Sequence, residues 1–103
     1  MQIRGKEVDF KISRLEDAAR MEQALEHMEE TEQKIQAEKT GKLTTILRLT
    51  LDMFRDFFKE ATGEDILRDC GDVEEAKDTY LAFLQEVGNQ KEAVMGFALD
   101  DIK

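Results

Sequence analysis

The stretch LTTILRLTLDMFRDFFKEA, residues 43–61, decides the fold. At about 100° per residue its apolar side chains sweep from Leu49 through Met53, Ile46, Phe57, Leu43, Phe54, Leu47 and Phe58 to Leu51, an arc of roughly 200°. Arg48, Asp52, Arg55, Asp56 and Lys59 take the remaining face. A helix apolar over that much of its circumference must touch several elements, so the segment from about Leu43 to Thr62 is expected to be the central, most buried helix of a mainly α domain. Part of so wide an arc can also serve as an exposed surface for a partner, with Leu49 and Met53 as the candidate contacts.

The flanking sequence fits around this helix. Downstream, Gly63 stands where a left-handed C-terminal residue is wanted, because glycine takes positive φ without a Cβ clash. Glu64 to Arg68 then read as a short helical turn closed by Gly71. Asp72 with Glu75 has capping-box spacing, and Val73, Ala76, Tyr80, Phe83, Leu84 and Val87 mark an amphipathic helix. Gly88-Asn89 is expected to end it, and a last helix carries Ala93, Val94, Phe97, Ala98 and Ile102.

Upstream, Thr40-Gly41-Lys42 reads as a linker. Before it, a helix is predicted from about Arg14 to Glu38, opened by a Ser13/Glu16 capping box. Its apolar residues, Leu15, Ala18, Met21, Leu25, Met28 and Ile35, are read as one narrow stripe that thins among Glu, Gln and Lys. Such a stripe covers one neighbour or another chain, which makes Leu25, Met28 and Ile35 candidate contacts for a helical partner or a second copy. In residues 1–12, the β-prone Ile3, Val8, Phe10 and Ile12 surround Arg4-Gly5-Lys6, the signature of a short hairpin. The expected architecture is therefore one domain over residues 1–103, an N-terminal β-hairpin followed by four to five helices.

Composition restricts the function. Of 103 residues, 38% are charged and 41% hydrophobic, too apolar for a disordered chain and too charged for a membrane protein. No apolar run approaches the roughly 20 residues that span a bilayer. The net charge of −9, with no basic stripe interleaved with aromatics, speaks against nucleic acid and anionic membrane as partners. The start of the chain lacks the apolar region of a secretory signal, and the lone Cys70 offers no intrachain disulfide. Both point to a reduced thiol in a cytoplasmic protein.

Signals for chemistry are weak. Glu60, Glu64, Asp65, Asp69 and Asp72 are dense but lack the alternating ligand positions, central glycine and closing glutamate of a calcium loop. No glycine-rich phosphate motif is present. Nucleophilic catalysis needs a base beside Ser or Cys, and the one histidine, His27, sits among Glu26, Glu29 and Glu30. Zinc wants more Cys and His than these two residues. No catalytic residue, metal site or cofactor is assigned, and the chain is read as a non-enzyme.

A resemblance supplies a direction. The hairpin IRGKEVDF, the charged helix, and MFRDFFKEATGEDIL followed by an acid-capped helix with Tyr80, Phe83 and Leu84 resemble the small tail assembly chaperones of long-tailed phages and prophages of Gram-positive bacteria. Gly5-Lys6 matches their Gly-Lys hairpin turn. Phe57, Phe58, Gly63, Glu64, Ile66 and Leu67 match their aromatic helix end, Gly-Glu turn and following apolar pair. Thr62 stands where that pattern has an aromatic, and the glycine after the apolar pair is delayed to Gly71.

The resemblance implies a helical, non-enzymatic protein of the host cytoplasm that keeps the tape measure protein soluble and recruits major tail protein; the stripe of the first helix adds the expectation of self-association or of a helical partner. Met21, Met28, Met53 and Met95 suit adaptable apolar contacts. The alternative from composition alone is a small acidic regulatory or adaptor protein that binds a protein partner or mimics nucleic-acid charge.

Overall fold

The computed structural model describes residues 1–38 and 41–102, and for residues 97–102 the backbone alone. The described chain is mainly α. Strands β1 (Gln2–Ile3) and β2 (Lys6–Glu7) form an antiparallel pair, followed by helices α1 (Leu15–Ala37), α2 (Leu43–Thr62) and α3 (Val73–Ile102).

The hairpin register pairs Gln2 with Glu7 and Ile3 with Lys6, leaving a two-residue turn in which Arg4 (φ 52°) and Gly5 (φ 78°) are both left-handed. That is the conformation whose twist matches paired strands. The paired region is shorter than the predicted 1–12, yet its alternation survives. Val8 and Phe10 are buried and Ile12 is half-buried. Beyond the strands Val8 N–H donates to Met1 C=O at 2.7 Å and Phe10 N–H to Val8 C=O at 3.0 Å, and the next amides find side chains: Lys11 N–H donates to Asp17 Oδ2 at 3.0 Å and Ile12 N–H to Gln90 Oε1 at 2.9 Å. This is how a segment without a ladder avoids unpaired polar groups.

Among the described residues three helices stand where four to five are predicted, and both extra helices fail for tertiary reasons. Between Gly63 and Asp72 the chain makes consecutive tight turns rather than a helix, held by backbone bonds such as Cys70 N–H to Leu67 C=O at 3.1 Å. Their shape is fixed from α2, where Arg55 donates Nε–H to Leu67 C=O at 3.2 Å and Nη2–H to Cys70 C=O. Further on, Gly88 and Asn89 lie inside α3. A helical glycine costs about 1 kcal/mol relative to alanine. Here Val87 is buried on one side of Gly88, and Gln90 receives the Ile12 amide on the other. Those contacts hold the helix through the weak point.

The start of α1 is also a correction. No side chain caps it, and Arg14 rather than Ser13 is its boundary residue. The predicted Glu16 partner instead pairs with Arg20 at 2.8 Å. The buried Asp17 takes over, accepting from Lys11 N–H and from Arg14 Nη1 at 3.4 Å. Leu15, placed on the stripe from sequence, is 87% exposed. At 100° per residue it lies roughly 140° from the Met21, Ala24 and Met28 line, and Asp17 occupies the inward position in its place. The other two helix signals hold. Gly63 ends α2 at φ 77° with its N–H on Lys59 C=O at 2.9 Å. Asp72 caps α3 through Oδ1 to the amides of Glu74 (2.8 Å) and Glu75 (3.4 Å).

The core gathers the second half of α2 with α1, α3, the turn segment and the N-terminal region around β1. Met53, Phe54, Phe57, Phe58 and Ala61 meet Met21 and Ala24 of α1, Ala76, Phe83 and Val87 of α3, Ile66, Leu67 and Cys70 of the turn segment, and Ile3, Val8 and Phe10. Its centre is aromatic. Phe57 meets Phe58, Tyr80 and Phe83 at ring-centroid distances of 5.4, 5.0 and 5.9 Å, all edge-on, the geometry that ring quadrupoles favour. Thr40 and the side chains of Phe97, Ala98 and Ile102 fall outside the described residues.

Candidate partner-binding surface

The 200° arc of α2 divides along the helix axis. From Met53 to Thr62 its side chains are in the core, whereas the first half carries Leu43 at 69% exposure, Leu47 at 43% and Leu49 at 37%. Ile46 and Leu51 are half-buried. The sequence dictates one continuous apolar face, but the core is only long enough to cover one end of it. Leu43, Leu47 and Leu51, at i, i+4 and i+8, leave an apolar line about 12 Å long on the uncovered end.

Beside that line α3 begins. Leu47, Arg48, Leu51 and Arg55 of α2 face Val73 and Lys77 of α3 across an open trough of about 910 Å³. Leucine and valine form its floor, and its charges are unevenly spread. From Gly41 to Leu51 the chain reads GKLTTILRLTL, with bases and no acid, although its total charge is −9. The first turn of α2 carries no acid to offset the positive end of the helix dipole. Arg48 and Lys77 have no ion-pair partner among the described residues. Arg55 is committed, to the two carbonyls and to Asp52 Oδ1 at 3.6 Å. The acids of the trough, Asp72 and Glu74, sit on the α3 side, where Asp72 is occupied as a cap.

The candidate contacts chosen from sequence are dispersed. Leu25, Met28 and Ile35 are half-buried and pack against the core cluster. Met53 is 8% exposed and part of the core. With Met28 it lines a small cleft of about 180 Å³ between α1 and α2. Leu49 alone of the five is exposed. Leu43 and Leu47, which the arc contains, and Leu81 and Val94 of α3 are exposed large apolar residues that sequence reasoning did not single out, whereas Met95, also exposed, was named among the adaptable methionines. Their signal was present only for α2, as an arc wider than one core contact requires.

Groups capable of chemistry are each held by a separate partner. His27 Nδ1 lies 2.6 Å from Glu60 Oε1 and joins α1 to α2. Cys70 is buried, with Sγ donating to Asp72 C=O at 3.3 Å. No three His, Cys, Asp or Glu side chains gather into a metal-binding group among the described residues, and none of the described helices is long and apolar enough to cross a membrane. Tyr80, over Phe54 and Phe57, has its phenol pKa pushed up, first by burial and then by the nearby Glu32 carboxylate. It keeps its proton more firmly than a free tyrosine. Comparison with protein-family models, with curated proteins and with solved structures finds no match for this chain.

Proposed function

We propose that the chain is a non-enzymatic, tail-assembly-chaperone-like interaction protein that binds apolar helical segments of a tape measure protein, and of tail protein, in the cytoplasm. The observation that carries this reading is the apolar face of α2, which continues past the core with Leu43 and Leu47 uncovered. An exposed apolar face on a small domain is costly unless something covers it. An amphipathic client helix covers such a face by laying its own stripe on it, while the −9 charge of the carrier keeps the pair from aggregating. The sequence resemblance supplies the identity of the client.

Co-expression tests it. A tape measure protein encoded beside this gene is expected to shift from the insoluble to the soluble fraction when the chain is present, and to elute with it in size-exclusion chromatography. If the tape measure stays insoluble at saturating levels of the chain, or if no long tape measure gene lies in the neighbourhood, the chaperone reading is wrong. In that event the acidic adaptor reading takes its place.

A further inference from the structure

We propose that the trough between the first half of α2 and the start of α3 is a docking site for an amphipathic helix with carboxylates along one edge of its apolar stripe. This deepens the reading above and rests on it, but its chemistry follows from the trough alone. The floor is Leu47, Leu51 and Val73, with Leu43 extending it by one turn. A line of about 12 Å accommodates two to three turns of a partner helix at 1.5 Å rise per residue. Apolar contact supplies the affinity, and the walls supply orientation.

The α2 wall bears Arg48, one turn in from a helix start that carries no acid, and Lys77 stands across from it on the α3 wall. Carboxylates on the partner's α2-facing edge meet Arg48, and Lys77 reaches toward the same stripe from the other wall. An amide edge gains nothing from them, and a basic edge is repelled. Glu74, on the opposite wall, disfavours a helix that is acidic on both edges. A second copy of the chain is a poorer occupant, because two bodies of charge −9 must approach. An anionic lipid plane is poorer still, since it meets the acids of the whole molecule and not only this wall. A single peptide helix meets the wall by itself.

The probes are two synthetic helices of about 18 residues with the same leucine stripe at i, i+4, i+7 and i+11, one edged with Glu and the other with Gln. Fluorescence anisotropy on the intact chain is expected to show the Glu-edged helix binding roughly 3- to 10-fold tighter, a margin typical of two or so exposed ion pairs and one that shrinks with added salt. Arg48→Glu with Lys77→Glu should remove or reverse the preference. Leu47→Asp should abolish binding of both helices, and Leu43→Asp, at a still more exposed site, should weaken it with the fold intact by circular dichroism. Leu81→Asp, outside the trough, should leave binding unchanged.

Equal affinity for the two helices, or binding indifferent to Leu47→Asp, overturns the proposal. If Leu47→Asp still solubilises the tape measure client, the chaperone reading stands on a different surface and only the trough is lost. A wild-type dimer in light scattering that Leu47→Asp converts to monomer assigns the trough to a second copy and overturns the peptide occupant. Arg48-dependent sedimentation with phosphatidylserine vesicles overturns it in favour of lipid.

Discussion

Replacing Phe57 by alanine tests whether the aromatic cluster on the second half of α2 is the energetic centre of the fold. Phe57 is 2% exposed and its ring meets three others within 6 Å. Removing a fully buried phenylalanine costs about 3–5 kcal/mol through lost transfer energy and the cavity left behind. Edge-on ring pairs contribute about 0.5–1.5 kcal/mol each, and three lost at once place the expected value in the upper half of that range. A domain of this size has a total stability of about 5–15 kcal/mol, so the variant is expected to fold, but weakly. With a urea slope of roughly 1–2 kcal/mol per M, the midpoint should fall by about 2–5 M, measured by circular dichroism at 222 nm. Leu43→Ala, at an exposed position on the same helix, is the internal comparison and should cost under about 1 kcal/mol. If the two midpoints move equally, or if Phe57→Ala moves by less than about 1 kcal/mol, the division of α2 into a core half and a free half is refuted.

Other expectations are independent of that cluster. Asp17→Ala should cost about 2–3 kcal/mol in chemical denaturation because it leaves the Lys11 amide without its acceptor, while Asp17→Asn, which keeps an acceptor, should cost less. Gly63→Ala should cost about 1–2 kcal/mol from its left-handed backbone, although a Cβ there meets only Arg20 Nη1 at 3.6 Å. Gly71→Ala, with φ outside the left-handed region and open space, should be near neutral in the same assay. Tyr80 is the only tyrosine and tryptophan is absent, so phenolate absorbance near 295 nm reports this residue alone. Its titration midpoint should lie above the usual value of about 10, and Glu32→Gln should bring it down. Because the folded state holds this proton more firmly than the unfolded one, the associated stability is complete below the ordinary tyrosine range and is lost as pH rises through the raised folded value. Tyr80→Phe should flatten that alkaline loss, seen as melting temperature against pH.

What was legible in the sequence was local. The apolar arc of α2, the glycine that ends it and the aspartate that starts α3 each carry their cause within a few residues of themselves. The signals that misled were equally local but were outcompeted across the chain. Ser13 offered a cap, yet Asp17 could satisfy the Lys11 amide and two arginines from a buried position, so the helix began one residue later. Gly88-Asn89 offered a break, yet Val87 in the core and Gln90 on the Ile12 amide held the helix on both sides. The candidate contacts failed to form one patch for a related reason. Leu25, Met28 and Ile35 look like a stripe awaiting a second chain when α1 is read by itself. The same wide arc on α2 that reaches α3 also reaches back to cover them. The surface left open was then the far end of α2, which no reading of one helix at a time locates, because it depends on where the core stops.

Arg55 gives the segment between α2 and α3 a resistance that its lack of regular structure conceals. A connection over residues 63–72 with an exposed arginine, Arg68, is the sort of place where trypsin enters a small protein. Here two carbonyls of that connection are gripped by a guanidinium rooted in the central helix, and Ile66, Leu67 and Cys70 are inserted in the core. Threading this chain through a protease cleft requires an extended stretch of about ten residues, and freeing it means extracting those three side chains and releasing Arg55 from both oxygens. The peptide bond after Arg68 thus becomes cleavable only when the whole domain opens, and its lifetime in a protease-rich cell is set by global unfolding.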